Sequence, residues 1–285
     1  MDLHEIADRI PSMGGTEIGS LLRRVARDAP AETSVVEVGC WLGAGTAQLA
    51  LGLRERQGAG SVQLHCYDRW HANESEVGKA TRWAVELSVG EDTLPQTRRT
   101  LEPFEIPIHF HKGDVGASRW DGGPISVYVD DASKKWQAFY HVLLTFGPSW
   151  MPGETVVVLM DYHIWKSTGA AEHQCQKEFV ESNHSCFEPI EHVGQPNTEG
   201  CLPTQPAVFL YRAPVDFGKW VATRCMGSLA AAQEEIKSLS GQVRQRDEKL
   251  HELKSSTSWR ITAPLRRCVD GARQLVHSGP RSPSE

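Results

Sequence analysis

Residues 33–50 read T-S-V-V-E-V-G-C-W-L-G-A-G-T-A-Q-L-A, and no other stretch constrains the fold as strongly. The segment 34–38 is a short apolar run with β-branched residues, the composition of a strand buried on both faces. An acid, Glu37, stands at its end, followed by a glycine-rich turn with Gly39, Gly43 and Gly45. From Thr46 onward the composition becomes helix-forming. A strand, a glycine turn and a helix start in succession open a nucleotide-binding α/β unit. The glycines let the backbone approach a ligand closely, and the helix start presents unpaired N–H groups. The spacing is G-x-x-x-G-x-G, not the G-x-G-x-x-G of a dinucleotide fingerprint, which disfavours a nicotinamide enzyme.

Six further strands are expected, over residues 61–67, 107–111, 125–129, 154–160, 187–193 and 207–212. Acids stand at the ends of several: Asp68 after the second, Asp130 and Asp131 after the fourth, Asp161 after the fifth. Open α/β sheets bind ligands at the carboxyl ends of their strands, and a carboxylate there accepts two hydrogen bonds from a ribose diol, the role assigned to Asp68. Residues 2–10 and 16–27 predict two short helices, read as an N-terminal lid (1–30) on the sheet edge. Residues 69–101 predict helix, loop, helix over the mouth of the site, and 134–146 and 169–183 predict further helices. The last two strands are joined by residues 194–206 with no helix between.

The E-V-G-C-W-L-G-A-G-T segment resembles motif I of the class I S-adenosylmethionine (SAM) methyltransferases. The resemblance covers about residues 30–212. It implies an α/β fold: a seven-stranded, doubly wound, Rossmann-like sheet with an antiparallel last strand between the fifth and sixth. The implied domain spans 31–215, with a lid insertion at 69–105. The implied cofactor is SAM, with Glu37, Gly39, Cys40, Trp41, Gly43 and Thr46 around the turn, Asp68 at the ribose, Asp114 at the adenine amino group, and Asp130. Within the family the chain is similar to antibiotic sugar O-methyltransferases and cephalosporin-hydroxylase-like proteins, which carry an I-D-G-D-H-x-Y type stretch after the fourth strand and D-D-Y after the fifth. Here these read V-D-D-A-S-K-K-W and M-D-Y-H, so Ala132 and Met160 replace two of the acids. Relatives with all the acids can bind magnesium, which leaves Asp130 and Asp161 as the metal candidates and Mg2+ dependence open. His163 and Asp131 are the candidate bases for a poorly acidic sugar hydroxyl. The pairs His173/Cys175 and His184/Cys186 fit no common zinc spacing.

The tail is organised differently. Leu229, Ala232, Ile236, Leu239, Val243, Arg246, Leu250 and Leu253 alternate by three and four, a heptad register over 225–254. This predicts a coiled coil for self-association or for a helical partner. Residues 255–267, S-S-T-S-W-R-I-T-A-P-L-R-R, resemble an S-x-S-W-R-x-T-x-P-L-R element that follows coiled coils in bacterial polysaccharide-assembly enzymes. From Cys225 on, ten basic residues stand against seven acidic ones in a chain of net charge −6. The basic, amphipathic segment 255–277 suits an anionic membrane surface or a glycosyltransferase partner, and 278–285 reads as disordered. Overall acidity argues against nucleic acid as a partner. Seven scattered cysteines, with no leader or spanning segment in the sequence, predict free thiols and a cytoplasmic setting, peripheral to the inner membrane at most. The expected function is O-methylation of a sugar or glycan acceptor. The alternative is a non-catalytic scaffold with a methyltransferase-like fold.

Overall fold

The computed structural model describes residues 2–12, 15–57, 60–192 and 206–255. The chain forms two units, Met1–Lys219 and Trp220–Glu285. The strands are β1 (Thr33–Val38), β2 (Val62–Asp68), β3 (Ile108–Lys112), β4 (Ile125–Asp130), β5 (Val156–Leu159), β6 (Phe187–His192) and β7 (Ala207–Tyr211). The helices are α1 (Leu3–Arg9), α2 (Gly15–Arg27), α3 (Ala44–Glu55), α4 (Glu74–Ala80), α5 (Leu94–Leu101), α6 (Trp136–Phe146), α7 (Trp165–Thr168), α8 (Cys175–Ser182) and α9 (Phe217–Ser255).

The seven strands form one sheet in the order β3-β2-β1-β4-β5-β7-β6. β1 to β5 pair in parallel, and β7 runs antiparallel to both β5 and β6. This is the doubly wound sheet with an inserted antiparallel strand that the sequence predicts. β1 and β4 lie at its centre, and every residue of both is buried. Their Val-rich sequences suit a position covered by helices on both faces.

On one face Val35, Val127, Val129, Val158 and Val208 share a core with Leu21, Leu22 and Ala26 of α2 and Leu49 and Ala50 of α3. α2 therefore packs across the face of the sheet and not along its edge, with Ile18, Leu21, Leu22 and Ala26 in the core it shares with the strands and α3. A Cβ on Gly52 would collide with the carbonyl oxygen of Arg23, so this glycine sets how closely α2 and α3 cross. On the other face Tyr128 meets Phe146 of α6 at 5.6 Å between ring centroids, and Phe139 of α6 meets Phe179 of α8 at 5.7 Å.

At the β3 edge polar aromatic side chains replace aliphatic ones. His65 stacks on His109 at 4.5 Å and Tyr67 on His111 at 4.2 Å. At the other edge, β6 carries Pro189 beside a register shift, a position where the missing N–H is tolerated. The helix predicted over 169–183 is broken: α7 ends at Gly169, whose φ of +63° is left-handed, and a 3-10 turn, Ala171–Gln174, precedes α8. The insertion over 69–105 holds α4, a 3-10 turn (Thr81–Trp83), a loop, α5 and a second 3-10 turn (Glu102–Phe104).

In the second unit α9 continues as helix to Ser255, and Leu229, Ile236, Leu239, Val243 and Leu250 of the heptad series are exposed. The tail element beyond Ser255, including residues 278–285, lies outside the described residues, as do Cys201 and Cys268. Among the described residues no helix is long and apolar enough to cross a membrane.

Candidate functional site

The glycine turn leaves β1 at Val38 and enters α3 at Ala44. Gly39 (φ +92°) and Gly43 (φ +90°) are left-handed, as is Trp41 (φ +46°), which has no such licence. Gly39 has a second reason to lack a side chain: a Cβ there would stand 2.8 Å from the backbone carbon of Asp131. The turns after β1 and β4 are thereby pressed together, tied by the Asp131 N–H donating to the Val38 carbonyl at 2.8 Å.

Asp68, at the end of β2, holds the turn from the other side. Its Oδ2 accepts the backbone N–H groups of Cys40 (2.8 Å) and Trp41 (2.9 Å), and its Oδ1 accepts that of Trp70 (2.7 Å). A carboxylate has about four lone-pair sites, so one place remains for a ligand, not the two that a diol grip would use. Below the turn, the buried Glu37 carboxylate accepts the Thr46 hydroxyl at 2.5 Å. Burial pushes the Glu37 carboxyl up from 4.5 to about 7, with Thr46 opposing the rise. Thr46 is wholly buried and serves Glu37.

Two cavities meet at the turn. The larger, about 490 Å³, is lined by Tyr67, Asp68, Asn73, Glu76, Asp114 and Lys134 among others. The smaller, about 250 Å³, is lined by Glu37, Cys40, Gly45, Gln48, Met160 and N-terminal residues from Ala7 to Ser12. Gly39, Trp41 and Asp131 line both. The Trp41 indole N–H is buried with no partner, a donor on the wall between the cavities. Trp83 of the insertion packs edge-on against Trp41 at 5.8 Å. The α4 wall is positioned by a reciprocal cap: Asn73 Oδ1 accepts the Glu76 N–H and Glu76 Oε2 accepts the Asn73 N–H.

The paired acids after β4 separate. Asp130 continues the strand's alternation on the Tyr128 side and is fully buried. Its carboxylate accepts the N–H groups of Ala132 (3.2 Å) and Ser133 (2.9 Å) and the Ser133 hydroxyl. It lines neither cavity, so the expectation that it touches cofactor or metal gives way to a turn-closing role. Asp131 takes the cavity position. Lys134 Nζ lies 2.8 Å from Asp161 Oδ2 and 3.9 Å from Asp131 Oδ1. Withdrawal from water and the neighbouring Asp161 charge raise the Asp131 carboxyl well above its ordinary range, with Lys134 opposing. Asp161 is buried behind this lysine.

With Lys134 between Asp131 and Asp161, these acids leave no place for a divalent cation, which needs several converging oxygens. Asp130 is consumed by its own turn, Asp161 is paired with an ammonium, and Ala132 and Met160 offer no oxygen at the remaining positions. Among the described residues, the one set of three ligand-type atoms within 4.8 Å of one another is Glu37, Cys40 and Cys66, wholly buried beneath the turn. His163 lies in the loop after β5, edge-on to Tyr162 at 4.9 Å, and is not among the residues lining either cavity. Asp114 lines the larger cavity and also accepts the Gly116 N–H at 2.7 Å. Sequence reasoning missed Lys134, whose signal was its place three residues after Asp131 on the same turn.

No family model matches the chain, and no curated protein matches it. Solved structures do. The O-methyltransferase NovP superposes with a TM-score of 0.51 at 14% identity, over 71% of this chain and 83% of that one. The fold is the Rossmann-like methyltransferase fold. Looser likenesses are a putative O-methyltransferase from Klebsiella pneumoniae (TM-score 0.49, 14% identity, 74% of this chain and 90% of that one) and the TDP-rhamnose 3'-O-methyltransferase CalS11 (0.42, 13%, 67% and 76%).

Proposed function

We propose that the protein is a SAM-dependent O-methyltransferase whose acceptor is a sugar hydroxyl of a glycan or glycan precursor in surface-polysaccharide assembly. The observation that carries the reading is the junction of two cavities at Gly39, Trp41 and Asp131, at the carboxyl ends of β1 and β4. Open α/β sheets bind ligands there. The residues present suit SAM: a Cβ-free backbone at Gly39, an unpartnered buried indole N–H at Trp41, and carboxylates at Asp68 and Asp114 on one cavity wall. Asp68 and Asp114 would hold the adenosine half, and the glycine turn with Glu37 and Cys40 the methionine half. Bound SAM supplies an electrophilic methyl group. The chain's own task is then to orient the acceptor oxygen and take its proton. Asp131, at the junction, is the residue placed to accept that proton; His163 is the less favoured candidate, being off the cavity walls.

The sugar acceptor and the polysaccharide setting rest on the family resemblance and on the tail element. The test is incubation with methyl-labelled SAM and a panel of nucleotide sugars, surface-glycan fragments and small non-sugar hydroxyl compounds. Label appearing in a sugar supports the reading. Label confined to small non-sugar hydroxyl compounds removes the glycan part.

A second reading, a scaffold presenting a coiled coil, draws on α9. Ile236 and Val243 would occupy a positions and Leu239 a d position, and β-branched a residues with Leu at d favour a parallel two-stranded coil. Self-association through α9 is compatible with catalysis and is proposed with it. The membrane-surface and glycosyltransferase contacts of the basic tail are proposals on the sequence alone.

A further inference from the structure

We infer that Lys134 provides, through its ammonium group, the positive charge that a divalent cation would otherwise provide at the acceptor end of this site, so that Lys134 and Asp131 together position the acceptor oxygen without metal. This inference rests on the methyltransferase reading for the identity of the acceptor, but not for the occupancy of the acid cluster.

Two carboxylates belonging to different strand ends, Asp131 after β4 and Asp161 after β5, converge on one nitrogen. Asp161 is 3% exposed, and a lone carboxylate so deeply buried needs a partner. The partner is Lys134 at 2.8 Å, delivered by the short turn whose Lys134 N–H donates to the Ala132 carbonyl. That turn is in turn fixed by Asp130, so the acid next to the site sets the lysine's approach and not a metal's coordination shell.

The chemistry of the group differs from that of a metal in a definite way. An ammonium carries one charge and three N–H donors, and it needs no cage of six oxygens. Paired with Asp161 at 2.8 Å and lying 3.9 Å from Asp131, the ammonium has an N–H to spare for an acceptor oxygen. Lys134 and Asp131 both line the larger cavity, and each side chain is about one-third exposed (38% and 34%), so a ligand can reach them. A hydroxyl that donates to Asp131 while accepting from Lys134 is held at two points. The same residues account for Ala132 and Met160: a small side chain and a thioether are tolerated where hard oxygen ligands would be required if a metal were held.

The test uses Mn2+ as the probe, with the full chain. Free Mn2+ gives a strong paramagnetic resonance signal that binding removes. Wild-type protein is expected to leave the signal unchanged. Lys134→Ala leaves Asp131 and Asp161 facing each other with no cation between, and is expected to take up Mn2+ about tenfold or more tighter than wild type, because ligand charge count sets affinity at such sites. Asp161→Asn in the same background is expected to abolish that uptake. Lys134→Arg, which keeps the charge, is expected to stay blind to Mn2+. If Lys134→Ala does not fold, Lys134→Ser serves, with the same outcome expected. Wild-type uptake of Mn2+ that Asp161→Asn removes would overturn the inference, and so would the absence of uptake in a folded lysine-less variant. S-adenosylhomocysteine binding by the wild type is measured separately. Its failure would remove the methyltransferase reading while leaving the Mn2+ result to decide the lysine's place.

Discussion

Asp68 and Trp41 are joined by a 2.9 Å hydrogen bond from the Trp41 backbone N–H to Asp68 Oδ2, and Trp41 is held in a left-handed conformation (φ +46°). The same carboxylate accepts the N–H of Trp70, which is also left-handed (φ +44°). Each such residue costs about 1–3 kcal/mol and persists only where its surroundings determine it. Asp68 is that determinant, and it fixes the walls of both cavities through Trp41.

Asp68→Ala should therefore destabilise the protein by about 2–4 kcal/mol: three hydrogen bonds to a charged group, each worth about 1.5–3 kcal/mol, are lost, and relaxation of the strained backbone offsets part of that loss. It should also weaken S-adenosylhomocysteine binding by more than about tenfold. Urea unfolding and titration calorimetry check the two effects. Unchanged stability would show that the tryptophans are held by something else.

Glu37 gives a pH dependence with a defined sign. Its folded value, about 7, lies above the ordinary 4.5, so between these values the folded state holds the extra proton. Stability contributed by this group falls as pH rises through that window, by up to about 3 kcal/mol at 1.36 kcal/mol per unit. Glu37→Gln should flatten this slope. Denaturation midpoints from pH 4 to pH 8 for both proteins measure the difference, and parallel curves would contradict the burial argument.

Gly52 and Gly78 form a matched pair. Both lie within helices, but a Cβ at Gly52 meets the Arg23 carbonyl of α2, whereas at Gly78 nothing lies within 4 Å. Gly52→Ala should cost about 1–3 kcal/mol by forcing α2 and α3 apart. Gly78→Ala should add about 0.5–1 kcal/mol, by helix propensity alone. Thermal unfolding should move in opposite directions for the two.

Self-association through α9 predicts that Ile236→Lys with Val243→Lys shifts the sedimentation profile from dimer to monomer. Both residues are exposed on the helix. Cofactor binding, being confined to the first unit, should not change. A wild-type protein that sediments as a monomer at high concentration would rule the dimer out.

The sheet was legible because its central strands are Val-rich, short and separated by glycine or proline, so burial on both faces left a continuous apolar signature. The position of α2 was less legible. An amphipathic helix declares which of its faces is buried, not whether it meets a sheet face or a sheet edge. Within the site, the glycine turn and Asp68 could be read because backbone conformation and strand-end position dictate them. Asp130 and Asp131 could not be told apart: every residue of β4 is buried, so no alternation in polarity shows which acid turns inward. Lys134 was hidden for a related reason. Its partner Asp161 lies on the next strand, and only the β4–β5 pairing brings the two together.

The junction at Gly39, Trp41 and Asp131 is the proposed SAM site. Titration calorimetry with S-adenosylhomocysteine, SAM and NAD tests it most directly, with Gly39→Arg as the control. Both sulfur compounds are expected to bind the wild type and NAD is not, and Gly39→Arg, confirmed as folded by its thermal transition, is expected to bind none. A wild-type protein that binds neither SAM nor S-adenosylhomocysteine would contradict the enzyme reading and leave the scaffold in its place.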